Sequence, residues 1–446
     1  MSASPSRIAA FDILLQVEQR DAFASELLHS ARFEELSTPD HGLATELVMG
    51  VLRWRSLLDR EIEQHSSQPL RKLDLPVMIA LRLAAYQILF LTRVPARAAV
   101  HESVELVKRA KKKSAVPFAN AVLRKISARP KFDPLGLITD NKTITGLVAA
   151  ASHPQWLVER WADRHGENVA RQICLYDQSP PGLAVRISDR RVETELQREG
   201  VTLSPGRLLR SARRIASGDV THTAAFREGR VFVQDEASQL VAVLVGKGEK
   251  ILDCCAAPGG KTRVLAELSP CAKILAAELH PHRARLLRQL VSAQNVEVVN
   301  VDVRHLQGAR SFDHVLADVS CSGTGTLARN PEIKWRLKPE DLLDLHSRQL
   351  AILQSALQHV APRGRLVYST CSLEIEENEA VIDAALKENS TFRIIPAIRV
   401  LAGLQEQGEL AWSDPGDLTS GPYLRTLPGA HPCDGFFAAI LENVCE

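Results

Sequence analysis

The sequence predicts an α/β domain built on a mostly parallel, doubly wound sheet, preceded by an all-helical domain. Three observations carry this prediction. From Lys250 onward, short apolar strands alternate with helical segments, as in a parallel sheet covered on both faces. Before residue 131, apolar residues recur at helical spacing and period-two alternation is scarce. The length of 446 residues, at roughly 100–200 per domain, makes two or three domains.

The helical part comes first. LATELVMGVLRW (43–54), LPVMIALRLAAYQILFL (75–91) and AAVHESVELVKRAKK (98–112) repeat apolar residues at helical spacing, and Asp40 is placed to cap the first. The predicted division is 1–130 for the helical domain, 131–235 for a linker with a small mixed region, and 236–446 for the α/β domain. In the middle region, SHPQWLVERWADRHG (152–166) reads as an amphipathic helix started near Pro154. LAVRISD (183–189) and RVFVQD (230–235) read as strands, with Arg207, Arg210, Arg213 and Arg214 as a basic cluster between them. The α/β strands are ILDCCAA (251–257), KILAAEL (273–279), VEVVNVD (296–302), DHVLADV (313–319) and GRLVYSTC (364–371). Helices fall between most of them, as in 281–294 and 340–360.

Composition excludes several classes. A 45% hydrophobic and 24% charged chain is ordinary for a soluble globular protein. No stretch approaches the ~18 uninterrupted apolar residues of a membrane span. The N-terminus carries Asp12 and Glu18 and no long apolar run, so no signal peptide or membrane association is expected and the cytoplasm is the expected location. Eight cysteines without a CxxC argue against zinc or any other metal, and in a cytoplasmic chain they should be reduced thiols. Residues 51–130 hold 16 Lys and Arg against 6 Asp and Glu, a local net of +10 in a chain whose total is +2. That asymmetry suggests a polyanion-binding face, or else a solvated helical surface.

The chemistry concentrates in the α/β domain. DCCAAPGGKT (253–262) follows a strand and precedes a helix, and its glycines let a ligand approach backbone N–H groups. It is neither a Walker A loop, whose first glycine would fall on Cys255, nor GxGxxG, so a phosphate cradle is disfavoured. Glu278 ends the second strand, where such folds place an acid for ribose hydroxyls. Asp302 ends the third, where a carboxylate can accept from an adenine amino group or simply cap a helix. ADVSCSGTGT (317–326) puts Asp318 and Cys321 at the end of a fourth strand, and YSTCSLEIEENE (368–379) puts Cys371 at the end of the next.

These motifs resemble the RNA 5-methylcytosine methyltransferase family, the Nol/Nop/Sun group. Matching segments are Asp253–Thr262, Asp318–Gly325 and Ser369–Ser372, with VQDEASQ (233–239), NPEIKW (330–335) and DGFFAAIL (434–441). PARAAVHESVELVKRAKKKSAVPFANAVLRKI (95–126) resembles a NusB-like RNA-binding domain. The resemblance covers nearly the whole chain. It implies a Rossmann-like S-adenosylmethionine-dependent methyltransferase domain behind the helical one, acting on RNA. The pairing of the two domains implies small-subunit (16S) ribosomal RNA, with no obligate protein partner.

Residue by residue, the resemblance implies that Cys255, Ala256, Ala257, Pro258, Gly259, Gly260 and Lys261, with Glu278, Asp302 and Asp318, hold S-adenosylmethionine. Cys371 would be the nucleophile, adding to carbon 6 of cytosine to activate carbon 5. Its thiolate would need nearby positive charge, from Lys261 or the helix start after Glu374. Asp318 would hydrogen-bond ring nitrogen 3, donating if protonated, and Cys321 would assist release. Lys334 and Trp335 are candidate RNA contacts, or else a capping loop with a buried indole. Lys108 and Arg109 are candidates on the basic helical face. One departure stands out: Ser320 occupies the place of the family's proline before the second cysteine, which loosens the expected placement of Cys321. A DNA cytosine methyltransferase would give Cys371 no role, because its thiol lies in a Pro-Cys motif on the Asp318 strand. A non-catalytic assembly protein would not need the intact thiols, loop and acids.

Overall fold

The computed structural model describes residues 3–445 apart from 31, 32, 34, 130, 132, 142, 188, 309 and 310. The chain divides into two compact units: Met1–Pro180 with Leu327–Arg336, and Pro181–Thr326 with Leu337–Glu446.

The first unit is helical. Leu75–Phe90 is buried along almost its whole length, because apolar or small residues occupy every face of it. Its one buried guanidinium, Arg82, is paired with Asp59 at 2.6 Å and Glu18 at 3.3 Å. The neighbouring helix Ala96–Arg109 is amphipathic, with Ala99, Val104, Leu106 and Val107 inward. The helix expected over 43–54 is Thr38–Arg53, and its cap is Ser37, not Asp40. Ser37 Oγ accepts from the Asp40 N–H, and Asp40 takes the third helical position, where an acid favours the positive helix end. The compact helical unit also takes in residues beyond 130. Helices continue through Ile144–Ala151, Gln155–His165 and Glu167–Asp177, so the amphipathic segment 152–166 belongs with the helical unit.

The second unit holds two sheets. The smaller is antiparallel, in the order β2-β3-β1-β4, from β1 (Ala184–Arg186), β2 (Thr202–Pro205), β3 (Ala212–Ser217) and β4 (Phe232–Val233). The strand expected over 183–189 reaches position 188, which lies outside the described residues. Among the described residues the larger sheet has nine strands. β5 (Lys250–Asp253), β6 (Lys273–Ala277), β7 (Val296–Val299), β8 (Phe312–Asp318) and β9 (Val360–Thr370) are parallel, in the order β9-β8-β5-β6-β7. β13 (Phe436–Asn443) runs antiparallel beside β9 and also pairs with β10 (Phe392–Ile395) and β12 (Tyr423–Thr426). The shortest, β11 (Thr419–Ser420), pairs antiparallel with β12.

Consecutive residues of the central strands are buried: Ile251 and Leu252, Val315 and Leu316, Leu366 and Val367. That is the signature of strands covered on both faces. β5, β6 and β7 stop short of their predicted ends, because the chain leaves the sheet where the polar motifs begin. β5 ends at Asp253, so Cys254 and the residues up to the next helix are loop. The order runs one way from β5 through β6 to β7 and the other from β8 to β9. The crevice between β5 and β8 is therefore the switch point at which such sheets take ligands. No helix among the described residues is long and apolar enough to cross a membrane.

Candidate active site

Asp253, Glu278, Asp302, Asp318, Cys321 and Cys371 lie at or just beyond the carboxyl ends of strands of the large sheet. The loop after β5 turns at Gly259, whose φ of 111° is open to glycine, and a Cβ there would come within 2.6 Å of Val291 Cγ2. The turn starts the helix Gly260–Leu268, whose first N–H groups have no partners within the helix. Asp253 is buried at the strand end. Its Oδ2 accepts from Thr262 Oγ1 at 2.7 Å, and its Oδ1 has no hydrogen-bond partner among the described residues. Burial pushes its carboxyl up to about 7. Glu278, also buried, accepts from the His280 N–H through Oε1 at 2.9 Å. A helix N-terminus for a carboxylate, with acids around it for ammonium, hydroxyl and sulfonium groups, suits S-adenosylmethionine and does not suit a polyphosphate.

Asp302 caps the short helical turn Val303–His305, and both its oxygens face Arg304, the closest contact at 2.6 Å. Asp318 ends β8. Its Oδ2 is 2.8 Å from Lys261 Nζ, and its Oδ1 accepts from Ser369 Oγ at 2.7 Å. Both oxygens of Asp318 thus already face donors, an ammonium and a hydroxyl. Lys261 is likewise committed to Asp318.

The two thiols meet. Cys321 Sγ and Cys371 Sγ are 3.3 Å apart, both half-buried, beyond the ends of the paired strands β8 and β9. The hydrogen bond to Cys371, then burial, then the charges of Cys371 and Glu377 raise the Cys321 thiol well above its ordinary value. The two sulfurs are within hydrogen-bond distance, and either thiol can be the donor. The Gly325 N–H donates to the Cys371 carbonyl at 2.8 Å, and the Gly435 N–H to the Gly325 carbonyl at 2.8 Å. A Cβ on Gly325 would lie 2.8 Å from Gly435 Cα, so no side chain fits between these segments. Gly325→Ala should cost about 1–3 kcal/mol by overpacking and depress activity more than S-adenosylmethionine affinity. Chemical denaturation alongside titration of the cofactor checks both.

The expected looseness at Ser320 has a counterweight. Its carbonyl accepts from Gln349 Nε2 at 3.0 Å, and the same amide donates to Glu377 Oε1 at 2.9 Å. Glu377, Gln349, Ser322 and Ser372 form a buried network under the thiols that sequence reasoning misses. The available signal is a serine after each cysteine and an acidic run behind the second.

One candidate RNA contact is corrected. Lys334 is 1% exposed and donates to the carbonyls of Arg53 at 2.9 Å and Ser152 at 3.1 Å, so it cannot reach a phosphate. Trp335 is half-buried and donates through Nε1 to the Leu52 carbonyl at 2.7 Å. Lys108 and Arg109 are exposed, and each is paired with an acid, Glu105 at 2.8 Å and Asp12 at 3.2 Å.

With the geometry in place, comparisons with known proteins are specific. A family model described as 16S rRNA methyltransferase RsmB/F matches residues 241–442, and one described as NusB family matches residues 4–128. The chain is 34% identical to the probable ribosomal RNA small subunit methyltransferase B of Bacillus subtilis, over 99% of this chain and 100% of that protein. It is 30% identical to the ribosomal RNA small subunit methyltransferase B of Vibrio cholerae, over 98% and 97% of the two. The crystal structure of the protein PH0851 aligns with a TM-score of 0.80 at 26% identity, covering 99% of each chain.

Proposed function

We propose that this chain, which belongs to the RsmB/F family of 16S rRNA methyltransferases, methylates carbon 5 of a cytosine in small-subunit ribosomal RNA through a covalent bond to Cys371. S-adenosylmethionine is the methyl donor and supplies a methyl group on a sulfonium cation. The observation that carries the reading is the pair of thiols 3.3 Å apart beside the Asp318–Lys261 pair.

The chain's own groups divide the work. The helix start at Gly260, with Asp253 and Glu278, would hold the donor, and Asp302 would accept from its adenine amino group. The target base leaves its stack to enter the crevice. Asp318 accepts from the exocyclic amino group of the cytosine and so orients the ring. Cys371 sulfur adds to carbon 6, and the electron pair of the 5,6 double bond makes carbon 5 nucleophilic.

After methyl transfer, carbon 5 carries one proton too many. Cys321 is suited to take it at that stage and no earlier. The hydrogen bond to Cys371 is the largest cause that raises its thiol; once the Cys371 sulfur is bonded to carbon, Cys321 gives its own proton to water and the resulting thiolate takes the proton from carbon 5. Removal of the carbon 5 proton restores the double bond and expels Cys371 as thiolate.

Bisulfite sequencing of small-subunit ribosomal RNA from cells with and without the gene tests the reading. One cytosine should be protected in the first and converted in the second. An identical protection pattern in both would sink it.

A further inference from the structure

We propose that Glu377 is a positioning residue that fixes the separation of the two active-site thiols by tying together the loops that carry them. The proposal rests on the reaction assigned above, and it concerns a residue with no direct part in the bond-making steps of that reaction.

The geometry is specific. Ser322 and Ser372 directly follow Cys321 and Cys371 in the chain. Glu377 is fully buried, and its carboxylate accepts from both serine hydroxyls. Oε1 also accepts the Ser322 N–H at 2.8 Å and Gln349 Nε2 at 2.9 Å. Gln349 in turn holds the Ser320 carbonyl, so both sides of Cys321 are fastened to one carboxylate.

Glu377 is itself held from three directions. Tyr368, on β9, donates its hydroxyl to the Glu377 carbonyl at 2.6 Å. The next residue, Asn378, accepts from Thr370 Oγ1 at 2.6 Å and donates to the Ser372 carbonyl at 2.9 Å. The short turn Ile375–Glu377 supplies the third constraint. Behind the thiols, the side-chain hydrogen bonds that join one loop to the other run through Ser322, Ser372, Thr324 and this carboxylate.

A buried carboxylate is costly unless several donors satisfy it, and here four donors do. The hydrogen bonds and ion pairs of Asp253, Lys261 and Glu278 run to Thr262, Asp318 and the His280 N–H, none of them to Glu377. Its effect should therefore appear in the behaviour of the thiols rather than in cofactor affinity.

The test separates reach from charge. Glu377→Asp keeps the charge but is one methylene too short to span both serines. Glu377→Gln keeps the length and can still bridge them, with the hydroxyls turning to accept. Each full-length protein is treated with limiting iodoacetamide in the absence of RNA, and alkylation at Cys371 and Cys321 is quantified by peptide mapping. In the parent protein, Cys371 should react about tenfold faster or more, since Cys321 is held as a thiol. In Glu377→Asp the ratio should fall towards unity, while Glu377→Gln should stay closer to the parent.

With RNA and S-adenosylmethionine, Glu377→Asp should lose on the order of 10²-fold in kcat, from misplaced groups, with KM for the cofactor unchanged. An aspartate variant with the parent's alkylation ratio would overturn the proposal. So would the reverse ranking, with aspartate active and glutamine dead, because charge and not reach would then be the role. The alkylation ratio needs no RNA, so it still reports on Glu377 if the assigned reaction is wrong. Normal turnover by the parent protein beside an unchanged ratio in Glu377→Asp would sink this proposal alone.

Discussion

Cys371→Ala should lose methyl transfer by on the order of 10⁴-fold or more and form no covalent complex with RNA, because the sulfur that adds to carbon 6 is gone. Cys321→Ala should behave differently. It keeps the nucleophile and the cofactor site, so attack and methyl transfer proceed, but release slows by about 10²–10⁴-fold for want of the proton acceptor. Protein joined to RNA should then accumulate and survive denaturing electrophoresis. The pair of variants reads the two thiols separately although they lie 3.3 Å apart. Equal loss in both, with no complex in either, would mean that one thiol serves only to shape the site.

The second large effect lies in the helical unit. Lys334 is buried beside His153, Cys174, Asp177 and Arg53, and burial pushes its ammonium down to about 7. The unfolded chain keeps this proton up to the ordinary lysine value of 10.5, while the folded chain gives it up near 7. Between those limits the unfolded state binds more protons, so stability rises with pH. The shift sets a ceiling of about 5 kcal/mol on the gain. Lys334→Met lacks the titrating group, and it leaves the Arg53 and Ser152 carbonyls without their donor. The margin by which the parent exceeds Lys334→Met should therefore widen from pH 7 to pH 10. Urea denaturation followed by circular dichroism at several pH values measures it, and a margin that is flat or narrows with pH would contradict the assignment.

The sequence is most legible where periodicity reports burial. Consecutive apolar residues in 251–252, 315–316 and 366–367 announce strands covered on both faces, and those strands form the parallel half of the sheet. The antiparallel half is legible only in part. DGFFAAIL is visible as a closing strand, but β10 and β12 are four residues each and owe their conformation to pairing with β13 more than to a pattern of their own. The helical domain is predicted to end at 130, and the compact helical unit also takes in Ile144–Ala151 and its successors, whose packing is not legible in the local pattern.

At the site, the motifs locate the acids and thiols but not their protonation or partners. Lys334 shows the limit in one direction. A lysine next to a tryptophan in a polar motif looks like a surface group, and only the fold reveals three acceptors waiting for it inside. Glu377 shows it in the other. Among Glu374, Glu376, Glu377 and Glu379, nothing in the local sequence says which carboxylate carries both serines, because that depends on a 3₁₀ turn aligning it with two loops 50 residues apart.

The most direct test of the central claim, that Cys371 adds to carbon 6 of the base, uses RNA carrying 5-fluorocytosine. Fluorine at carbon 5 cannot leave as a proton does, so methyl transfer should strand the protein on the RNA. With the parent protein and S-adenosylmethionine, digestion and mass spectrometry should place the attached nucleotide on the peptide containing Cys371. Attachment at Cys321, or turnover of this RNA without any attachment, would contradict the account.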